Sequence, residues 1–125
     1  LVGYGRYPHQ TLLGGCSQRD RAAIQWALDI TGLAPLAERI VDTLSGGERQ
    51  RAWIAMALAQ QTPILLLDEP TTFLDIRHQL EILSLVRDLN CNHGLTVGWV
   101  LHDLNQAAAY SDRLILLSQG QVVKM

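Results

Sequence analysis

Ile64-Leu65-Leu66-Leu67-Asp68-Glu69-Pro70 is the stretch whose reading decides the fold. Four consecutive aliphatic residues between Pro63 and Pro70 are too few for a buried helix. They predict a strand covered on both faces, as in parallel sheets. The two carboxylates then fall at the strand's C-terminal end, the edge where open α/β sheets bind ligands. Pro70 biases Glu69 away from helical dihedrals, so an extended turn is expected at that acid. A core strand running into an acidic turn accounts for the same residues, and the neighbouring segments have to decide.

Downstream, residues 71–75 read as a loop, and Ile76, Leu80, Leu83 and Val86 or Leu89 fall at helical spacing over residues 76–90. A strand is expected over residues 95–101, closed by His102-Asp103-Leu104-Asn105-Gln106, where Asp103 and Gln106 have the spacing of a cap and its reciprocal partner. Strand, helix and strand in this order predict a right-handed βαβ unit, so the edge that presents Asp68 and Glu69 also presents His102. A histidine between strand and helix is ordinarily a packing or capping residue, and His102 alone assigns no chemistry. A short helix to Tyr110 leads to residues 113–118, and Gln119-Gly120 turns the chain back through residues 121–124.

Upstream, Leu44-Ser45-Gly46-Gly47-Glu48-Arg49-Gln50-Arg51 runs into an alanine-rich helix body, apolar nearly all round, which should be buried. Ser45 is a good N-cap, and Glu48 completes a capping box. Gly46 and Gly47 are poor helix formers. Without side chains they let a ligand approach the first-turn amides, where the helix dipole favours an anion such as phosphate. A plain cap with flexible glycines explains the same residues. An earlier helix starts at Ser17-Gln18-Arg19-Asp20, turns Ile24, Ala27, Leu28 and Thr31 to one face and stops at Gly32. A helical turn is expected over residues 35–39 and an extended segment over residues 40–44. Residues 1–15, with four glycines and Pro8, read as a loop or fraying helix end. The Gly3-x-Gly5 pair follows no strand and reads as a turn, not a phosphate loop.

Composition narrows the classes. The 125 residues are 48% hydrophobic, which suits one core burying roughly two-thirds of the unfolded surface. A net charge of −2, from 10 basic and 12 acidic residues without a basic block, points away from nucleic acid. Cys16 and Cys91 are isolated and read as reduced thiols of a cytosolic protein. The longest apolar stretch, residues 52–59, is far short of a membrane span.

Taken together, these motifs resemble those of the ATP-binding subunits of ABC transporters, along essentially the whole chain. Leu44-Ser45-Gly46-Gly47-Glu48 is similar to the ABC signature, with Glu48 where Gln is most frequent. Residues 64–69 resemble the Walker B strand, Thr72-Phe73-Leu74-Asp75 the D-loop and His102 the switch histidine. The resemblance implies a partial P-loop NTPase (ABC ATPase) α/β fold. It consists of a helical subdomain with the signature over residues 1–62, followed by the C-terminal strands and helices of the core sheet over residues 63–125. It implies ATP and Mg2+ as cofactors, with Asp68 in the magnesium shell, Glu69 as general base and His102 orienting phosphate and water. Ser45, Gly46, Gly47 and Glu48 would lie toward the nucleotide held by a second copy, and Asp75 would communicate across that dimer.

Gly5-Arg6-Tyr7-Pro8-His9, Pro70-Thr71-Thr72-Phe73-Leu74-Asp75-Ile76 and Leu101-His102-Asp103-Leu104-Asn105-Gln106 look like the branch that imports iron-siderophore, haem or cobalamin. Implied partners are a second ATP-binding subunit in a homodimer, membrane permease subunits facing residues 1–39 and, indirectly, a substrate-binding protein. Nucleic acid is not among them. The implied location is the cytoplasmic face of the inner membrane, peripheral through the permease. One family element is absent: no Gly-x-x-x-x-Gly-Lys-Ser/Thr loop occurs, and Lys124 is the only lysine. The chain therefore resembles the second half of such a subunit, and alone it is expected to be inactive. The competing expectations are a non-catalytic partner-binding module and a soluble, non-transport ABC ATPase.

Overall fold

Two serines start the two helices of the upstream half. In the computed structural model, which describes residues 1–9 and 15–124, Ser17 caps α1 (Gln18–Ile30) and Ser45 caps α2 (Gly46–Leu58). Both are reciprocal capping boxes, closed by Asp20 and Glu48, so two otherwise orphan donors are satisfied at each helix start. Gly32, at φ +67°, supplies the left-handed stop after α1.

The N-terminal segment is more ordered than a loop. Val2–His9 forms a 3₁₀ helix packed on α2, while residues 10–14 of the expected loop lie outside the described residues. Gly5 is required there by proximity, since a Cβ would fall on the carbonyl oxygen of Met56 in α2. Arg6 locks the segment in place. Its Nε lies 2.8 Å from Asp20 Oδ1, and its Nη1 donates to Ala59 O at 2.9 Å, with Arg6 and Asp20 both buried. One guanidinium thus satisfies a carbonyl at the C-terminal end of α2 and pairs with the carboxylate that caps α1, a charge placement that suits both helix dipoles.

Residues 34–36 form a 3₁₀ turn near the expected position. The extended reading of residues 40–44 is corrected: Val41–Thr43 is a 3₁₀ turn, and Thr43 Oγ1 donates to Ile40 O at 2.7 Å, a local bond that competes with extension.

The strand β1 (Ile64–Asp68) pairs in parallel with β2 (Thr96–Val100), and α3 (Ile76–His93) connects them. The register sets Ile64 opposite Thr96 and Asp68 opposite Val100. Cover on both faces of β1 is not observed. Leu65 is 4% exposed, whereas Ile64 and Leu66, on the other face, are 56% and 77% exposed. Among the described residues, the helices pack on the Leu65 face. α3 runs on to His93, past the helix end expected at residue 90, and is closed by Gly94 at φ +68°. Its inward face is Ile82, Leu83, Val86 and Leu89, while Ile76 and Leu80 are exposed, a rotation of the face expected from spacing. The α2 body is also less enclosed than expected: Ala52, Ile54, Ala55 and Leu58 are buried, but Trp53 is exposed. One apolar cluster joins Val2, Ala27, Leu28, Leu33, Leu44, the buried face of α2, Leu65, Ile82, Val86 and Leu89. After α4 (Leu104–Tyr110), β3 (Leu116–Ser118) and β4 (Gln121–Lys124) form a separate antiparallel hairpin, turned by Gln119 and Gly120 at φ +48° and +76°.

The hydrogen bonds from Ser17, then the Arg6 guanidinium, lower the Asp20 carboxyl from 3.8 to about 2. A carboxyl depressed in the folded state stabilises it fully above pH 3.8 and loses that contribution as pH falls toward about 2. Asp20→Asn should therefore destabilise the protein at neutral pH, and its deficit against the parent chain should shrink across that window. Urea unfolding at several pH values measures this; a deficit independent of pH contradicts the assignment.

Candidate functional site

Beyond the paired ends of β1 and β2 the chain makes two tight turns, and their side chains meet. Glu69 leaves β1 at φ +48°, a left-handed conformation that is costly for a residue with a Cβ. The extended turn expected from Pro70 is therefore corrected. A hydrogen bond from Thr72 N to Glu69 O at 3.2 Å closes the turn, and Pro70 is buried beneath it. The Glu69 side chain is held at both oxygens. His102 Nε2 lies 2.7 Å from Oε1, and Thr72 Oγ1 donates to Oε2 at 3.1 Å. The hydrogen bond from His102, then that from Thr72, lowers the Glu69 pKa. An ionised carboxylate only accepts, so Nε2 carries the proton of the shared hydrogen bond. Asp68, next to Glu69, is exposed at the strand end.

A second group of the expected residues gathers at the starts of α2 and α3. Glu48 accepts from Ser45 N at 2.8 Å, and this bond, then that from the Ser45 hydroxyl, lowers the Glu48 pKa. Ser45 and Gly46 are exposed, but Gly47 is buried. A Cβ at Gly47 would run into the imidazole of His78, on the first turn of α3. The close approach at Gly47 is therefore made by a side chain of this chain. Asp75 caps α3, accepting from His78 N at 2.9 Å and from His78 Nδ1 at 2.8 Å. Its pKa is lowered by the backbone bond first and the ring bond second. Leu74 packs toward Gly46, so the loop of residues 71–75 lies against the start of α2.

The reciprocal cap expected of Gln106 does not form. Asp103 accepts from Asn105 N and Gln106 N, at 2.7 and 3.1 Å, while the Gln106 side chain reaches across to Gln79 on α3. Thr72, His78, Gln79 and Gln106 thus join the site without having been assigned these contacts from sequence. A signal existed for two of them: His78 stands three residues after the cap Asp75, and Thr72 three residues after Glu69.

The donor set bears on which cation fits. Among the described residues no group of three or more His, Cys, Asp or Glu side chains converges on a metal position. Asp68, an exposed carboxylate at the strand end, could supply one hard oxygen to a cation such as magnesium, an ion that keeps several waters and takes one or two carboxylates beside phosphate oxygens.

A family model described as ABC transporter matches residues 6–72. The chain is 57% identical over 124 residues to the iron(3+)-hydroxamate import ATP-binding protein FhuC of Bacillus subtilis strain 168, covering 99% of this chain and 46% of that protein. A structure of a metal-chelate type ABC transporter in an inward-facing conformation superposes with a TM-score of 0.92 at 36% identity, over 97% of this chain and 48% of that one. A dimeric bacterial ABC transporter cassette superposes with a TM-score of 0.78 at 34% identity, over 98% of this chain and 53% of that one. The chain spans about half the length of the curated relatives it matches.

Replacing His102 with Ala should let the Glu69 pKa rise toward its ordinary 4.5, because the largest cause of its depression is removed. Carbon NMR of the labelled carboxyl measures it. An unchanged midpoint means that the contact is not formed in solution.

Proposed function

Because this chain belongs to the ABC transporter family, we propose that it forms part of the ATP-binding and hydrolysing subunit of an importer for an iron-siderophore or related metal chelate. The observation that carries this reading is the Glu69 carboxylate, held 2.7 Å from His102 Nε2 beside Asp68 at the C-terminal edge of a parallel strand pair. The chelate class is favoured by the relatives: the FhuC protein is named for iron(3+)-hydroxamate import, and the inward-facing structure is described as of metal-chelate type.

In this reading Asp68 belongs to the magnesium shell. Bound magnesium neutralises charge on phosphate oxygens in the family of reactions that cleave nucleoside triphosphates. Glu69 is ionised at neutral pH and can accept a hydrogen bond from water. Once His102 has moved off, the largest cause of the lowered Glu69 pKa is gone, and Glu69 acts as general base toward that water. His102, once shifted off Glu69, would bring its ring to phosphate and water. Ser45, Gly46 and Glu48 present the exposed start of α2 toward a second copy, with Gly47 braced from behind by His78. Asp75, at the start of α3, would carry the communication across that pair.

Residues 1–62 constitute the helical subdomain and residues 63–125 the C-terminal part of the ATPase core. The partners are a second ATP-binding subunit, membrane permease subunits that meet residues 1–39 and, through them, a substrate-binding protein. The subunit lies peripherally at the cytoplasmic face of the inner membrane, held there by the permease subunits; among the described residues no helix is long and apolar enough to cross a membrane.

Glu69→Gln in the full-length subunit keeps the shape of the side chain and removes the ionised acceptor. ATP turnover should fall by about 10²–10⁴-fold while ATP binding persists. Near-normal turnover of that variant in the assembled transporter removes Glu69 from this role.

A further inference from the structure

His102 and the loop of residues 71–75 are joined twice. The first joint runs through the Glu69 carboxylate, which meets His102 Nε2 at Oε1 and accepts from Thr72 Oγ1 at Oε2. The second is a chain of two glutamine amides: Gln106 Nε2 donates to Gln79 Oε1 at 2.8 Å, and Gln79 Nε2 donates to Leu74 O at 2.9 Å. Its direction follows from chemistry. The Leu74 carbonyl can only accept, so the Gln79 amide must turn its NH2 toward it and its oxygen toward α4, and Gln106 must then donate. Both bonds are partly buried, where an amide that loses its partner is poorly compensated by water. Among the described residues, Gln79–Gln106 is the one side-chain hydrogen bond between α3 and α4.

The two ends of this chain are informative. Gln106 sits on the first turn of α4, with its own N–H bonded to Asp103, which directly follows His102. Leu74 directly precedes the helix cap Asp75, and its side chain faces Gly46 at the start of α2. Displacing the start of α4 therefore strains or breaks the two hydrogen bonds that reach Leu74 O.

We propose that Gln79 and Gln106 are positioning residues that couple the placement of His102 to the loop of residues 71–75 and, through Leu74, to the start of α2. The coupling rests on the ATPase reading for its consequence in catalysis, but not for its existence. Neither glutamine touches substrate. They set where Leu74 and Asp75 lie when His102 is against Glu69, and they transmit its departure.

The test uses the full-length subunit carrying Gln79→Leu, Gln106→Leu or both, with Gln106→Glu as a variant of the same shape that cannot donate. Each single change should lower kcat by about 10-fold, the size of a coupling between residues in one network, with the KM for ATP nearly unchanged. The double variant should be no slower than the slower single one. Hydrogen exchange supplies a readout independent of turnover. In Gln106→Leu the amides of Thr72 and Leu74, bonded to Glu69 O and Thr71 O at 3.2 and 3.4 Å, should exchange faster although the substitution lies on α4. Losses that multiply in the double variant, or unchanged exchange at Thr72 and Leu74, overturn the link. A parent protein without ATPase activity that still shows the exchange effect upholds the link and removes the ATPase reading instead.

Discussion

The parallel register that sets Asp68 opposite Val100 is the constraint on which the site depends. Glu69 follows one residue beyond the pair and His102 two residues beyond, so a register shifted by one position would turn the strand ends to opposite faces and separate them. The pairing is itself held by α3, whose buried face of Ile82, Leu83, Val86 and Leu89 packs beneath the strands. The left-handed turn at Glu69 then aims the carboxylate across to β2. Strain of this kind persists where surrounding bonds over-determine it, and here His102, Thr72 and the buried Pro70 do so.

The helix α2 supplies the second fixed frame. Its start is closed by Ser45 and Glu48, and Arg6 holds the carbonyl just past its end. Between these ends it packs on α1, α3 and the 3₁₀ segment at the N-terminus. Because Leu74 and His78 press on Gly46 and Gly47, the start of α2 and the loop after β1 form one rigid corner. The other face of the strand pair, Ile64, Leu66 and Val100, and the hairpin of β3 and β4 carry exposed aliphatic side chains.

Local rules read much of this correctly. Ser17, Ser45 and Asp103 act through bonds within their own first turns, and such caps are legible from spacing alone. Strand, helix and strand placed Glu69 and His102 at one edge, and the hairpin turn at Gln119-Gly120 followed from its residues. The failures share a physical origin. Pro70 argues for extension at Glu69, but the left-handed turn is held by a contact to His102, far away in sequence, together with the local bonds from Thr72. Gln106 has capping-box spacing, yet Gln79 offers a partner that one-dimensional spacing cannot reveal. The burial of both faces of β1 was inferred from four aliphatic residues in a row, and a run of that kind reports what the strand can bury, not which elements cover it.

In the proposed ATPase reading, Glu69 and His102 act as one unit on the attacking water. A double-mutant cycle of Glu69→Gln and His102→Ala on ATP turnover by the full-length subunit measures it most directly. If the two act together, the double variant turns over no more slowly than Glu69→Gln alone. Losses that multiply would mean that the two side chains work independently, and the account built on their contact would fail.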